Sequence, residues 1–103
     1  MVKRKVDWSR NALFDLLEIM NYYSKRNKSN VYSKKLSRDI SYKLKTIDFS
    51  VALPQKTTTK NLFYFTHNHV SVCFEILDDD LRVQLIIDDR RNPEIIKKLL
   101  KAV

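Results

Sequence analysis

Hydrophobic and polar positions alternate along two stretches in the second half of the chain. Val70, Val72, Phe74 and Ile76 alternate with His69, Ser71, Cys73 and Glu75, and Leu81, Val83, Leu85 and Ile87 alternate with Arg82, Gln84, Ile86 and Asp88. A period of two predicts strands with one buried and one wetter face. The two apolar sets share a face only if Ile76 lies opposite Leu81. Asp78 and Asp79 then form the tip, where Asp tolerates the left-handed backbone of a tight turn. The same register pairs Phe74 with Val83, Val72 with Leu85 and Val70 with Ile87. A turn at His67-Asn68 sets Phe65 opposite Val70 and Phe63 opposite Val72. The expected strands are Asn61–Thr66, His69–Leu77 and Leu81–Asp88. Their second face carries Leu62, Tyr64, Thr66, His69, Ser71, Cys73, Glu75, Arg82, Gln84, Ile86 and Asp88. A site on the sheet has to use that face, because the other is core.

The first half changes period. Val2–Asp7 is short and β-capable, and its lysines suit an edge. Ser9 is placed to cap a helix from Arg10 to about Lys25. Leu13, Leu16, Leu17 and Met20 follow helical spacing there, widened by Ala12, Ile19 and Tyr23. After the polar break Arg26–Lys28, Ser29 is expected to cap a second helix over about Asn30–Phe49. Its stripe is Tyr32, Leu36, Ile40, Leu44 and Ile47, with Lys34, Arg38 and Lys45 opposite. Two long helices joined by a short break predict an antiparallel hairpin, here covering the core face of the sheet. Ser50–Lys60 reads as irregular and polar, with Pro54 ending any helix before it. Asn92-Pro93-Glu94 opens a last helix, in which Ile95, Ile96, Leu99, Leu100 and Val103 form the apolar stripe.

Composition narrows the picture. A chain of 103 residues, 44% hydrophobic, predicts one folded domain over residues 1–103. No apolar run approaches the ~20 residues of a membrane span. The basic N-terminus is not followed by an apolar stretch, so no signal peptide is expected and a cytoplasmic protein is. Cys73 is the single cysteine and the histidines number two. An internal disulfide is thereby excluded, and a structural zinc site has too few usual ligands. The chain has no glycine, which excludes glycine-rich phosphate loops. No cofactor is expected. The net charge of +8 is uneven: residues 1–60 hold 14 Lys and Arg against 5 Asp and Glu, and residues 61–103 hold 6 against 7. The positive helical half suits a solvated face, nucleic acid or an acidic protein partner.

The element order β-α-α-β-β-β-α frames a set of local matches: KRKVDWSRNALFDLLEI at the start, YSKKLSRDI in the second helix, LPQKTTTKN before the meander, VSVCFEI in its middle and DDRRNPEII after it. Over its full length the chain resembles the RelE/ParE superfamily, the toxins of bacterial type II toxin–antitoxin modules. The resemblance implies an α+β fold, an antiparallel sheet with the N-terminal helical hairpin packed on one face. It implies a cytoplasmic toxin held by a cognate antitoxin, in a complex that reaches operator DNA through the antitoxin. Ribonuclease members use sheet lysines at positions that fall here on Leu62 and Tyr64, and a strand arginine that falls on Ser71. Their arginine after the last strand is matched by Arg90, and a late tyrosine falls on Ile96. The resemblance therefore leans toward the ParE branch, which inhibits DNA gyrase by protein contact. Ribosome-dependent mRNA cleavage is the alternative, and a degenerate, non-toxic partner protein is a third.

Five residues are candidates for catalysis if the chain is a ribonuclease: His69, Arg82, Asp88, Arg90 and Arg91. RNA cleavage by 2′-hydroxyl attack needs a base, an acid and cations on the phosphate. In the expected register His69 faces Asp88, as an acid/base unit or as a plain cross-strand hydrogen bond. Arg90 and Arg91 would clamp a phosphate or satisfy Asp88, Asp89 and helix-end groups. Glu75 and Arg82 would form a surface ion pair. Partner binding is expected from the aromatic and apolar side chains Trp8, Tyr22, Tyr23, Tyr42, Ile96 and Leu100, with Lys34, Arg38 and Lys45 supplying charge.

Overall fold

The computed structural model describes residues 4–48, 55–57, 59–78, 80–91 and 93–100, with Ile96, Leu99 and Leu100 described by backbone alone. The first strand, β1 (Val6–Trp8), runs straight into α1 (Arg10–Asn27). Ser9 joins them. Its Oγ accepts from the Ala12 N–H at 3.0 Å and donates to the Gln84 carbonyl at 3.0 Å, so the helix cap also ties α1 to the sheet. At the other end Lys28 takes a left-handed conformation, φ 54°, and its N–H and that of Ser29 close onto the Lys25 and Ser24 carbonyls. Without glycine the chain places ordinary residues at left-handed positions: Lys28, Asn61, Asn68, His69 and Asp78. Asn and Asp adopt this conformation most readily after glycine.

The buried face of α1 is Ala12, Leu16, Ile19 and Tyr23, whereas Leu13 and Leu17 are 46% and 54% exposed. Leu16 and the widening residues Ala12, Ile19 and Tyr23 are thus the buried part of the expected stripe, Met20 is half-buried, and Leu13 and Leu17 fall outside it. Both sets have helical spacing. Packing against α2 and β5 together selects the one between those two neighbours. The second helix, α2 (Val31–Thr46), stops short of Phe49, which lies outside the described residues. Asn30, not Ser29, is its N-cap, and Asn30 makes no side-chain cap bond; the Ser29 Oγ accepts from the Val31 N–H instead. Leu36, Ile40 and Leu44 are buried as expected, together with Ser33, whose hydroxyl bonds the Met20 carbonyl at 2.7 Å and Ser24 at 2.8 Å across the hairpin.

Four more strands complete a five-stranded sheet: β2 (Gln55–Lys56), β3 (Leu62–His67), β4 (Val70–Leu77) and β5 (Asp80–Asp88). Their order is β1-β5-β4-β3-β2, and α3 (Pro93–Leu100) follows. The fold is α+β, but the sheet is mixed and not wholly antiparallel, because β1 pairs parallel with β5. The reason is parity. Two helices return the chain to the end where β1 stopped, and four strands, not three, then alternate before β5 is complete. The unforeseen strand is β2, inside the segment expected to be irregular; it pairs with β3 at Tyr64 and Phe63.

The two hairpins depart from the expected register in different ways. At the first, the turn is Asn68-His69, with φ of 48° and 65°, and pairs His67 with Val70, Phe65 with Val72 and Phe63 with Phe74. Both central residues are left-handed, as a two-residue hairpin loop requires. This two-residue slip leaves every side chain on its expected face. At the second, Ile76–Leu81 and Phe74–Val83 hold, but Cys73 then pairs with Leu85, Val72 with Ile86 and Val70 with Asp88. Gln84 is the extra residue of a β-bulge, and beyond it every side chain of β5 changes face. Ile86 joins the core with Val70, Val72, Phe74, Leu81 and Val83 under the helices, while Ile87 is buried with Leu62 and Cys73 on the other side. Phe74 is fully buried, flanked by the rings of Phe63 and Phe65 at 6.5 and 6.0 Å.

Candidate functional site

The bulge at Gln84 decides where the candidate residues go. It turns Asp88 inward, where it is only 1% exposed. Its Oδ2 accepts from the Tyr23 hydroxyl at 2.9 Å and its Oδ1 from the Arg90 N–H at 3.1 Å. The Arg90 guanidinium donates in turn to the Tyr23 oxygen at 3.1 Å. Burial, and then the bonded Asp88 carboxylate, raise the Tyr23 phenol above its ordinary value of 10.0. That bond to Tyr23 also raises Arg90. Tyr23 therefore stays a phenol and Arg90 a guanidinium around neutral pH. The cluster fastens the end of β5 to α1.

The expected His69–Asp88 pair does not form. His69 is a turn residue, exposed, and its carbonyl accepts the Asp89 N–H at 2.8 Å. Arg82 is exposed near the opposite end of β5, ~20 Å along the strand from Asp88 at the usual rise per residue, beside Asp7 and opposite Glu75. Glu75 takes its hydrogen bond from the Gln84 amide, so the expected Glu75–Arg82 ion pair is replaced. Arg91 lies over the Tyr22 ring, 4.1 Å from its centroid, and 3.8 Å from Glu18. Of the five catalytic candidates, Asp88, Arg90 and Arg91 are brought together, by the Arg90 N–H on the Asp88 carboxylate and the Arg91 N–H on the Asp88 carbonyl, both at 3.1 Å, and the Asp88 side chain faces the helices.

The face expected to carry a site is instead partly apolar and buried. Leu62, Cys73 and Ile87 are packed there against Tyr64 and Leu85. Burial raises the Cys73 thiol to about 12, with Asp89 and Asp15 adding to it, so this sulfur is not a nucleophile near neutral pH. Asp89 accepts from the Ser71 hydroxyl at 2.7 Å, and Ser71 also bonds Thr66 at 3.1 Å. Burial raises Asp89 above the usual carboxylate value. Among the described residues no group of three or more His, Cys, Asp or Glu could hold a metal ion.

The partner-binding candidates divide. Lys34, Arg38 and Lys45 are exposed on α2, and Tyr42 beside them is 67% exposed. Tyr22 is exposed under Arg91. Tyr23 is buried and Trp8 is half-buried against the core, so neither is left over as an anchor. The side chains of Ile96 and Leu100 lie outside the described residues. Leu13 and Leu17, expected in the apolar stripe, are instead exposed, beside Phe14, which is 64% exposed. Nothing in the spacing distinguished this strip from the buried one. Asp15 was also missed. Its Oδ2 accepts the Ile86 N–H at 3.1 Å, where β5 has run past the end of β1. Burial raises its carboxyl, against the lowering effect of that bond.

Among the described residues no helix is long and apolar enough to cross a membrane. The chain matches no protein-family model and no curated protein.

Proposed function

We propose that this chain is the toxin of a type II toxin–antitoxin module, cytoplasmic, neutralised by a cognate antitoxin and acting by protein contact on DNA gyrase. The family part of this reading rests on the sequence resemblance. The helical hairpin packed on one face of a sheet is consistent with it. The choice of protein contact over RNA cleavage rests on one observation: the bulge at Gln84 directs Asp88 to Tyr23 and away from His69, so the expected His69–Asp88 acid/base pair is not formed. A ribonuclease needs those groups converged within hydrogen-bond reach of a substrate. The antitoxin, in this reading, meets the basic helical layer with acidic side chains. Its apolar anchors lie against Leu13, Phe14 and Leu17 and against Tyr42.

Controlled expression tests both parts. Growth arrest relieved by co-expression of the protein encoded beside it is the expected result for the family reading. Accumulation of gyrase-cleaved DNA with intact ribosome-bound mRNA is expected for the mechanism. Codon-positioned mRNA cuts in primer extension would replace gyrase inhibition with the ribonuclease alternative. Absence of any growth effect, with the partner still bound, would replace it with the non-toxic partner protein.

A further inference from the structure

At the turn end of the helical hairpin, where α1 passes into α2, Tyr23, Arg26, Asn27, Tyr32 and Arg90 line a shallow concavity of about 250 Å3. Among the described residues the Arg90 guanidinium makes one hydrogen bond, to the Tyr23 oxygen at 3.1 Å, whose own proton is committed to Asp88. A guanidinium carries five N–H donors, so most of this one is left for a ligand in a fixed orientation. Arg26 comes from the last turn of α1, is exposed, and is paired with no carboxylate among the described residues. Asn27 adds an amide beside it. Tyr32 is half-buried and stands edge-on to Tyr23, ring centroids 5.2 Å apart, with its ring at the rim. The end of α1 would ordinarily repel an anion through its free carbonyls. Here the Lys28 and Ser29 N–H groups already occupy the Lys25 and Ser24 carbonyls. The one carboxylate nearby, Asp88, is buried beneath Tyr23 and faces the Arg90 backbone.

We infer that this concavity binds a backbone phosphate of single-stranded nucleic acid, with the adjoining base against Tyr32. Two guanidiniums and an amide suit phosphate oxygens, and a half-exposed aromatic ring beside them suits a base whatever its identity. The site opens on the helical side, away from the outer sheet face, and the inference does not depend on the toxin reading.

The test is fluorescence anisotropy of a short end-labelled oligouridylate titrated with the purified full chain. Arg26→Gln and Arg90→Gln are each expected to weaken binding about tenfold, the size of one lost charge-assisted contact. Each should also make the dependence of log affinity on log salt shallower by about 0.7. Arg38→Gln with Lys45→Gln, on the exposed face of α2, is expected to change affinity less than about threefold, as a screened surface charge does. Should Arg90→Gln fail to fold, Arg26→Gln decides, because it sits exposed on a helix end. Equal loss in the Arg38/Lys45 variant, equal competition by oligoglutamate, or no binding by the wild-type chain would each overturn the assignment.

Discussion

At the scale of single residues, one buried and one part-buried hydrogen bond carry consequences that can be measured. Tyr23→Phe keeps the ring packed but strips Asp88 of its side-chain donor and Arg90 of its acceptor. Leaving a buried carboxylate oxygen unsatisfied costs about 1–3 kcal/mol, and urea unfolding should show a loss in that range. A fall of a few tenths would mean that water replaces the hydroxyl. Asp15 works through pH. Its carboxyl is raised by burial above the model-compound 3.8, so the folded chain holds the proton more tightly than the unfolded one. Stability from this group is therefore present below 3.8 and is lost as pH rises through the raised folded value. Asp15→Asn keeps an oxygen for the Ile86 N–H and removes the titration. Melting temperatures measured from pH 3 upward, across roughly the carboxylate range, should rise for the variant relative to wild type as pH increases. A constant offset between the two would place the titration elsewhere.

At the scale of elements, α1 supplies the clearest test of packing. Leu16→Ala should cost about 2–5 kcal/mol, as truncation in a core does. Leu13→Ser with Leu17→Ser should change stability by less than about 1 kcal/mol, two exposed sites at up to half of that each. The reverse order would put Leu13 and Leu17 in the core in place of Leu16. Much of the fold was legible. Ser9 as a cap, the Ile76–Leu81 register and the core positions of Phe74 and Leu36 all follow from local spacing and turn chemistry. What was not legible came from tertiary choice. The face of α1 depends on where α2 and β5 lie. A bulge has no fixed residue type when it is not a glycine, so Gln84 looked like any outward strand residue. That single insertion also undid the candidate site, since His69 and Asp88 were paired only by counting along an unbroken ladder. The basic face of α2 was readable because lysines at helical spacing opposite an apolar stripe have only solvent to face.

At the scale of the whole molecule, the parallel pairing of β1 with β5 joins residues 75 positions apart, as the contacts of Lys5 with Asp80 and of Ser9 with Gln84 mark. Everything else in the sheet is made by neighbouring hairpins, and the helical hairpin is local too. The order of events during synthesis follows. At the usual 5–20 residues per second, β1 leaves the ribosome on the order of 4–15 s before its partner does. In that interval the helices and the β3–β4 hairpin can form, but β1 has nothing to pair with and Ala12, Leu16 and Ile19 lack the β5 side of their pocket. Local contacts form readily and this distant one closes last. A chain ended at Asp78 should accordingly show helical circular dichroism but rapid proteolysis near Trp8, whereas the full chain resists there. Equal resistance in both would mean that β1 finds its place without β5. A protein built this way keeps its first strand without a neighbour until β5 is made, and whatever it does to its cell waits on that pairing.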